Sequence, residues 1–462
     1  MTAAQDAPRY QRDFTPGELK ARRQALVAGI GEDSIGLIQG AGTQRSLSLF
    51  RQTNEMYYLT GIEVPHAYLI LEGGTGRSVL YLPRMDFDLE RSQGPTLSSD
   101  QPDLVRELVG IEDVKPTESL GKDILAFANR RSSRRILTPI SPAEGAAMSR
   151  IESNIATAKA LADPWDGRPT REMYLVALLR SRFPQISIGD LSPLLDRLRL
   201  IKTPREQELL RVAGQLTAEA VTEAMRSTAP GVTEYELAAV AMFIFLEGGA
   251  RGEAYRAIVA TGHNAWFGHY SRLDSTLSSG ELVLMDHAPD FQYYTSDIGR
   301  MWPVGGQYSP AQRAIYGFIV KYHLTLLSLI RPGAMPSDVL DTAAEVMTPV
   351  IEQTHFSEPH HAEAARAALR FRGHLSHPVG MAVHDVDDYR TARLEPGIVF
   401  SVDPMLWIPE EHLYIRCEDT ILVREDGIEI LTSGAPLELD DVEATMREQA
   451  RGLLKPRRTP EE

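Results

Sequence analysis

Residues 281–302 read ELVLMDHAPDFQYYTSDIGRMW and decide the class of fold that the chain can adopt. Two apolar runs typical of strands flank a turn at 288–290, which predicts a β-hairpin. A hairpin centred near Phe291-Gln292 places Asp286 opposite Asp297, with their Cβ atoms about 5 Å apart on one face. Two like charges in that position destabilise a sheet unless a cation lies between them. In the alternative register, one of the two aspartates is a turn or cap residue.

Histidines cluster in residues 371–389, which read FRGHLSHPVGMAVHDVDDY. His374, His377 and His384 are close together, and the glycines and proline between them argue against a helix. The stretch therefore does not match the paired-histidine helix of zinc proteases. A single histidine is more often a surface or core residue than a ligand, but three of them beyond a carboxylate hairpin indicate a site.

Two predicted strands, 398–403 and 413–423, bring further charged side chains. The period of two along the second strand puts Arg416 and Glu418 on one face and Cys417 on the other. The arginine and glutamate could form only a buried ion pair, or the glutamate could ligate a metal beside a guanidinium. Cys417 points away from both, so we expect it to be packed and inert.

Taken together, these stretches offer four carboxylates and one imidazole, namely Asp286, Asp297, His377, Asp403 and Glu418. A mostly hard-oxygen set of this size can hold two divalent cations, and by ligand softness it suits Mn²⁺ first, with Co²⁺, Zn²⁺ or Fe²⁺ as alternatives. Two such metals can polarise a carbonyl and activate water, which is the logic of dinuclear aminopeptidases.

The composition narrows the function classes. The 462 residues include 48 Lys and Arg against 63 Asp and Glu, a net charge of −15, which argues against nucleic-acid binding through a general basic surface. A single cysteine excludes an internal disulfide framework and a cysteine-based zinc site. The first residues lack the apolar core of a signal peptide, and the longest apolar run, 237–246, is too short for a membrane span. We therefore expect a cytoplasmic protein with no nucleic-acid or membrane partner.

The chain divides into two unlike parts, 1–195 and 196–462. Short apolar runs alternate with helical patterns in the first part, including a helix predicted over 143–162, and this alternation indicates an α/β domain. In the second part a helix pair begins at Thr203, and the same punctuation recurs from Ser309. Strand-forming stretches follow each pair. We interpret this as an internal repeat with a site where the two halves meet, and chance recurrence of helix signals is the alternative.

The motifs in this order resemble the pita-bread metallopeptidases, which include methionine aminopeptidase, aminopeptidase P and prolidase. Residues 50–71, FRQTNEMYYLTGIEVPHAYLIL, are similar to the N-terminal domain of the aminopeptidase P and prolidase branch, and 201–213, IKTPREQELLRVA, to the entry of the catalytic domain. Methionine aminopeptidases lack the first domain and fit less well. The resemblance implies an α/β N-terminal domain followed by an α+β pita-bread catalytic domain with a pseudo-twofold repeat.

The resemblance also implies a ligand set in the family order Asp, Asp, His, Glu, Glu. Asp286 would bind one metal, His377 the other, and Asp297 and Glu418 would bridge both. The remaining ligand is normally the Glu of a Val-Glu-Pro sequence, but here the chain reads Val-Asp403-Pro. In the family this carboxylate is also the general base, so the shorter side chain puts the metal geometry and the strength of the base in doubt.

Further catalytic roles follow from the same resemblance. His269 would act at the leaving-group nitrogen, His384 would donate to the carbonyl oxygen, and Arg416 would orient Glu418 or the substrate. A hydroxide between the metals would attack an Xaa-Pro carbonyl while Asp403 shuttles the proton. Proline has no amide N–H, so recognition must rest on ring shape. An apolar wall for that ring is predicted from Trp266, Phe267 and Tyr270, and His374 is assigned as a structural neighbour.

The expected substrate is thus a peptide with proline at the second position, cleaved by an aminopeptidase P-like homodimer or higher homo-oligomer. Three alternatives stay open. The chain could be a prolidase that accepts only Xaa-Pro dipeptides. It could be a non-peptidase on the same fold, such as a metal-free creatine hydrolase or a metal-dependent lyase of a sulfonium compound. It could also be a binding protein that lost catalysis.

Overall fold

Two compact units, Met1–Arg199 and Leu200–Glu462, make up the protein, and each has its own sheet and hydrophobic core. The boundary at 195/196 stays a prediction. The computed structural model describes residues 10–43, 49–129, 134–145, 149–386 and 388–454.

The first unit alternates helices and strands, as its sequence predicts. The helices are α1 Pro16–Ile30, α2 Asn54–Thr60, α3 Phe87–Gln93, α4 Pro102–Val109, α5 Leu120–Ala128, α6 Arg150–Ala162, α7 Arg171–Arg182 and α8 Ser192–Leu200. The strands are β1 Ser34–Gln39, β2 Tyr68–Glu72, β3 Ser78–Leu82, β4 Asp113–Pro116, β5 Arg135–Thr138 and β6 Ser187–Asp190.

These strands form one mixed sheet in the order β4-β3-β2-β1-β5-β6. The strand pairs β1–β2 and β2–β3 are antiparallel, whereas β3–β4, β1–β5 and β5–β6 are parallel. Helix α6 begins at Arg150, later than the predicted start at 143. The reason is local: the Ser149 side chain caps the backbone N–H of Glu152, and the Glu152 side chain bonds back to the Ser149 backbone.

The second unit carries the charged motifs. Its helices are α9 Pro204–Arg226, α10 Glu234–Glu247, α11 Pro310–Leu329, α12 Pro336–Gln353, α13 Pro359–Arg370 and α14 Leu439–Thr445. Its strands are β7 Ile258–Thr261, β8 Leu282–Asp286, β9 Ile298–Pro303, β10 Val399–Val402, β11 Met405–Ile408, β12 Leu413–Arg416, β13 Glu418–Arg424 and β14 Gly427–Ile430.

The second sheet joins two halves of similar construction. Helices α9 and α10 precede strands β7 to β9, and helices α11 and α12 precede strands β10 to β14. The strand order is β10-β13-β9-β8-β7, with β14 beside β13, so the halves meet where β9 pairs with β13. Capping boxes at Thr203, Thr233 and Ser309 start three of these helices, as the sequence predicts. Among the described residues, no helix is long and apolar enough to cross a membrane.

The register of the β8–β9 hairpin is different from the predicted one. Met285 pairs with Arg300, so Asp286 lies opposite Gly299 rather than opposite Asp297. The prediction of directly opposed aspartates was therefore wrong by two residues. Because a shift of two residues keeps each side chain on its face, both aspartates still point to the same side of the sheet.

The turn explains this difference. Gln292 and Tyr293 have φ angles of 52° and 71°, and Phe291 pairs with Tyr294 across them. A two-residue turn with both φ values positive matches the twist of a hairpin. The chain thus reverses one residue later than the predicted centre, and not at 288–290.

The strand predicted over 413–423 is interrupted. Strand β12 ends at Arg416 and belongs to a separate two-stranded sheet with β11, while β13 starts at Glu418 in the main sheet. Cys417 lies at the break and is buried. Arg416 and Glu418 still contact each other although their strands belong to different sheets.

Candidate metal centre

The predicted ligands converge where the two halves of the second sheet meet. Asp286 ends β8, Asp297 immediately precedes β9, Asp403 follows β10, and Glu418 begins β13. His377 comes from the loop after α13, and its carbonyl oxygen accepts from the backbone N–H of Ser401. All four carboxylates are buried, with at most 9% of any residue exposed.

The two aspartates of the hairpin share a tyrosine. The Tyr255 hydroxyl bonds Asp286 Oδ1 and lies 2.9 Å from Asp297 Oδ1. The backbone N–H of Asp297 donates to the Thr420 hydroxyl at 2.8 Å, which fixes the loop before β9. Tyr255 is a contact that the sequence analysis missed, because nothing in the segment around it relates it to a hairpin thirty residues away.

Asp297, His377 and Glu418 form a group whose potential ligand atoms lie within 4.8 Å of one another. His377 Nε2 is 3.2 Å from Asp297 Oδ2 and 3.9 Å from Glu418 Oε1. His377 Nδ1 is 3.2 Å from the carbonyl oxygen of Pro378. A proton held there leaves Nε2 with its lone pair facing the carboxylates, which is the arrangement of a metal-ligating histidine.

Arg416 lies among three of the carboxylates. Its Nη1 donates to Asp286 Oδ2 at 2.7 Å, its Nε donates to Asp403 Oδ1 at 3.3 Å, and its Nη2 bonds Glu418 Oε2. The predicted role of orienting Glu418 is thus consistent with the contacts. One guanidinium is set against four carboxylates, so the cluster keeps an excess of negative charge.

Gly299 makes room for this guanidinium. A Cβ atom at residue 299 would lie 3.1 Å from Cγ and Nε of Arg416 and 3.1 Å from Cβ of Glu418. A side chain at this position would therefore be tightly packed against Arg416 and Glu418, and the backbone angle of Gly299 is not the reason for the glycine. The sequence shows the glycine but does not show that the Arg416 side chain packs against it.

The electrostatics reflect the crowding of charge. Burial raises the pKa of Asp297 well above its usual range, and the neighbouring Glu418 and Asp286 carboxylates raise it further. Burial likewise raises the pKa of Asp403; Arg416 opposes that rise, but Glu418 and Asp297 add to it. Raised pKa values in a buried carboxylate cluster mean that the ionised forms lack compensating positive charge.

The chemistry of these donors fits divalent cations. Glu418 Oε1 is buried and has no hydrogen-bond partner within the described ranges, although it belongs to the three-residue group with Asp297 and His377. Carboxylate oxygens with a single imidazole suit Mn²⁺ and its neighbours in the first transition row. Cations would satisfy both the orphaned oxygen and the excess charge.

Among the other predicted histidines, His384 and His269 are linked to this group through ring contacts, whereas the ring of His374 contacts a different partner. The ring centroid of His384 is 4.0 Å from that of His377 and 6.1 Å from that of His269. His374 instead packs against Phe371, and burial lowers the pKa of His374. The assignment of His374 as a structural neighbour stays a prediction.

The predicted aromatic wall is only partly supported. Trp266 packs edge-to-face against Trp407 with ring centroids 5.2 Å apart, and Phe267 is 51% exposed. Tyr270 is buried, and its hydroxyl donates to Glu234 Oε2 at 2.9 Å, so it does not form an open wall. Trp407, on β11 beyond Asp403, is an aromatic neighbour that the sequence analysis missed.

Cys417 behaves as the sequence predicts. It is fully buried, and burial raises the pKa of its thiol. A protonated thiol in an apolar environment is a poor nucleophile and a poor metal ligand.

Two family models match the chain. Residues 208–425 match metallopeptidase family M24, and residues 19–137 match the aminopeptidase P N-terminal domain. Each match falls within one of the two units. Together they cover the sheet of the first unit up to β5 and the strands that carry the buried carboxylates.

Individual proteins give the same result. The chain is 32% identical to an Xaa-Pro aminopeptidase of Escherichia coli over 93% of this chain and 97% of that protein. It is 24% identical to a human Xaa-Pro dipeptidase over 89% of this chain and 88% of that protein. Among solved structures, aminopeptidase P of E. coli with the inhibitor Pro-Leu superposes with a TM-score of 0.76 at 29% identity, covering 94% of this chain and 99% of the other.

Proposed function

The chain belongs to metallopeptidase family M24, with the N-terminal domain of aminopeptidase P, and from this premise we propose that it hydrolyses Xaa-Pro bonds and releases the N-terminal residue of a peptide. The observation that carries the proposal is that four buried carboxylates and His377 lie together where β9 pairs with β13. The higher identity to an Xaa-Pro aminopeptidase than to a dipeptidase supports cleavage of longer peptides.

We propose that the cations are held by the carboxylates of Asp286, Asp297, Asp403 and Glu418 together with His377. When bound, two divalent cations supply positive charge that polarises a peptide carbonyl and makes water a nucleophile near neutral pH. Arg416 keeps one oxygen of Asp403 and one of Glu418 turned toward itself, which leaves their other oxygens for ligation, while the second oxygen of Asp286 accepts from the Tyr255 hydroxyl.

Asp403 is the proposed proton carrier. A carboxyl group whose pKa is raised by burial and by Glu418 and Asp297, against the effect of Arg416, can accept a proton from water and later release it. The backbone of Asp403 is fixed directly after β10, where its N–H donates to the Leu375 carbonyl at 3.1 Å. His384 is proposed to donate to the substrate carbonyl oxygen, and His269 to act near the leaving nitrogen.

Proline recognition is proposed to use shape. Because the proline nitrogen carries no hydrogen, no donated hydrogen bond can select it. The Trp266–Trp407 pair, which includes a residue of β11, is the proposed apolar surface for the proline ring. We expect it to contact the substrate rather than the cations.

Three finer properties are also proposed. Mn²⁺ is the expected native metal, because the donor set is mostly oxygen. A homodimer or higher homo-oligomer and a cytoplasmic location are expected from the family resemblance and from the single cysteine. Elemental analysis of protein purified without added metal tests the identity of the metal, and light scattering tests the oligomeric state.

The decisive activity test uses three peptides. Protein loaded with Mn²⁺ is expected to cleave Xaa-Pro-Yaa faster than an Xaa-Pro dipeptide and to leave Xaa-Ala-Yaa intact. Faster cleavage of the dipeptide would assign prolidase activity instead. Cleavage of neither proline peptide by metal-loaded protein would overturn the proposal.

A further inference from the structure

A second group of metal-ligating side chains lies outside the candidate centre. Within the described ranges, His360, His361 and Glu411 place potential ligand atoms within 4.8 Å of one another. His360 Nε2 is 2.6 Å from Glu411 Oε1, and His361 Nε2 is 2.5 Å from the same oxygen. The two rings meet edge-to-face with centroids 4.7 Å apart.

This convergence is unusual for neighbours on a helix. His360 and His361 are consecutive residues in the first turn of α13, where successive side chains point about 100° apart. Both rings nevertheless turn their Nε2 atoms to one carboxylate oxygen. Glu411 lies in the turn between β11 and β12, and the following His412, with φ of 47°, completes that turn.

The environment suits a cation that can enter from solvent. The His361 side chain is 3% exposed, whereas those of His360 and Glu411 are 27% and 37% exposed. His361 Nδ1 is buried and has no hydrogen-bond partner among the residues described. Glu410 and Glu358 are also near, since after Glu411 they contribute to raising the pKa of His360. The site therefore combines two imidazoles with surplus negative charge.

We propose that His360, His361 and Glu411 form a third metal site, selective for Zn²⁺ over Mn²⁺, that clamps α13 to the β11–β12 turn. Two imidazole nitrogens and one carboxylate are a common zinc donor set, with the fourth position left for water. Mn²⁺ prefers the oxygen-rich centre instead. Small rotations of the three side chains replace the present hydrogen bonds by metal–ligand bonds.

The clamp would act on segments that lead to the candidate centre. Strand β11 begins two residues after Asp403, and β12 ends at Arg416. Helix α13 leads into the loop that carries His377. At about 3.3 Å per strand residue, the turn with Glu411 lies more than about 10 Å from Asp403, so the third site is separate from the candidate centre.

The test compares zinc content and thermal stability in the full chain. Wild type equilibrated with Zn²⁺ and freed of excess is expected to retain about one equivalent more than Glu411→Gln or His360→Ala. Zn²⁺ should also raise the Tm of wild type more than that of either variant. His355→Ala and Glu410→Gln, which change neighbouring residues outside the ligand set, should retain the wild-type zinc content.

Equal zinc content in wild type, Glu411→Gln and His360→Ala would overturn the proposal and leave an ordinary histidine–glutamate ion pair. Circular dichroism shows whether each variant is folded, and two independent ligand variants guard against one that is not. Because Glu411 is outside the catalytic machinery, Mn²⁺-loaded Glu411→Gln should cleave Xaa-Pro-Yaa at the wild-type rate. That readout separates failure of the third site from failure of the proposed peptidase activity.

Discussion

Glu418 and Asp419 are consecutive residues of β13 and are equally buried, yet they face opposite sides of the sheet and meet opposite surroundings. Asp419 accepts from Arg300 Nη2 at 2.7 Å and lies 2.8 Å from His323 Nε2. Glu418 instead shares Arg416 with two other carboxylates. One of its oxygens has no hydrogen-bond partner among the described residues.

The pKa values show what the difference means. Burial alone would raise the pKa of Asp419, but the Arg300 guanidinium, with help from His323, holds it well below its usual range. On the other face, burial and like charges raise the pKa values of Asp297 and Asp403. A buried carboxylate with its own cationic partner can stay ionised, and removing it would leave the cation uncompensated, whereas a cluster short of positive charge is suited to a ligand that supplies it.

The largest effect is expected for Glu418→Gln. The change removes a proposed bridging ligand without altering the size of the side chain. We expect cleavage of Xaa-Pro-Yaa to fall at least about 1,000-fold, equivalent to about 4 kcal/mol of transition-state stabilisation. Elemental analysis should show less bound metal. Wild-type metal content and rate in this variant would exclude Glu418 from the centre.

The matched change on the other face is Asp419→Asn. It leaves Arg300 buried without its charged partner, so the free energy of unfolding should fall by about 3 kcal/mol. Urea denaturation measures that loss. The folded fraction should still bind as much metal as wild type. A loss of metal without a loss of stability would show that the two faces are not functionally distinct.

Asp403 tests whether the shorter carboxylate is a working base. Asp403→Asn should reduce kcat about 100-fold, because the amide cannot carry the proton. Asp403→Glu restores a carboxylate and should stay within about tenfold of wild type. Steady-state kinetics on the same Xaa-Pro-Yaa peptide separates the two variants, and equal rates for both would remove Asp403 from the proton path.

The smallest effect is expected in the first unit, at Glu55, which is a third kind of buried carboxylate. Burial, and then the Glu144 carboxylate, raise the pKa of Glu55 from 4.5 to about 7, against the opposing effect of Arg199 and Arg150. Since the folded pKa is the higher one, this contribution to stability is present below pH 4.5 and is lost as pH rises through 7.

Wild type should therefore lose free energy of unfolding between pH 5 and pH 8, and Glu55→Gln should remove about 1 kcal/mol of that loss. Thermal unfolding followed across this range measures the slope. An equal loss in the variant and in wild type would mean that Glu55 is ionised and paired throughout this range.

Local sequence predicted the starts of α9 and α11, and it singled out the charged side chains that the structure brings together at the candidate centre. Capping signals such as Thr203 with Glu206 act within one turn, so they can be recognised without knowledge of the fold. The register of β8 and β9 was missed because it depends on the left-handed backbone of Gln292 and Tyr293, residues for which that conformation is uncommon.

The contacts that complete the centre could not be predicted, because they join distant parts of the chain. Tyr255 reaches Asp286 and Asp297 only after β7, β8 and β9 are in place. Arg416 and Gly299 are more than a hundred residues apart in sequence and approach each other only in the folded sheets.

The most direct test of the proposed dinuclear centre is a Mn²⁺ titration of chelator-treated protein, with bound metal and Xaa-Pro-Yaa cleavage measured on the same samples. Because the carboxylates around Glu418 lack compensating positive charge, we expect no cleavage without metal. The rate should rise with metal binding until about two equivalents of Mn²⁺ are held. Full cleavage by metal-free protein, or saturation with Mn²⁺ and no cleavage, would contradict it.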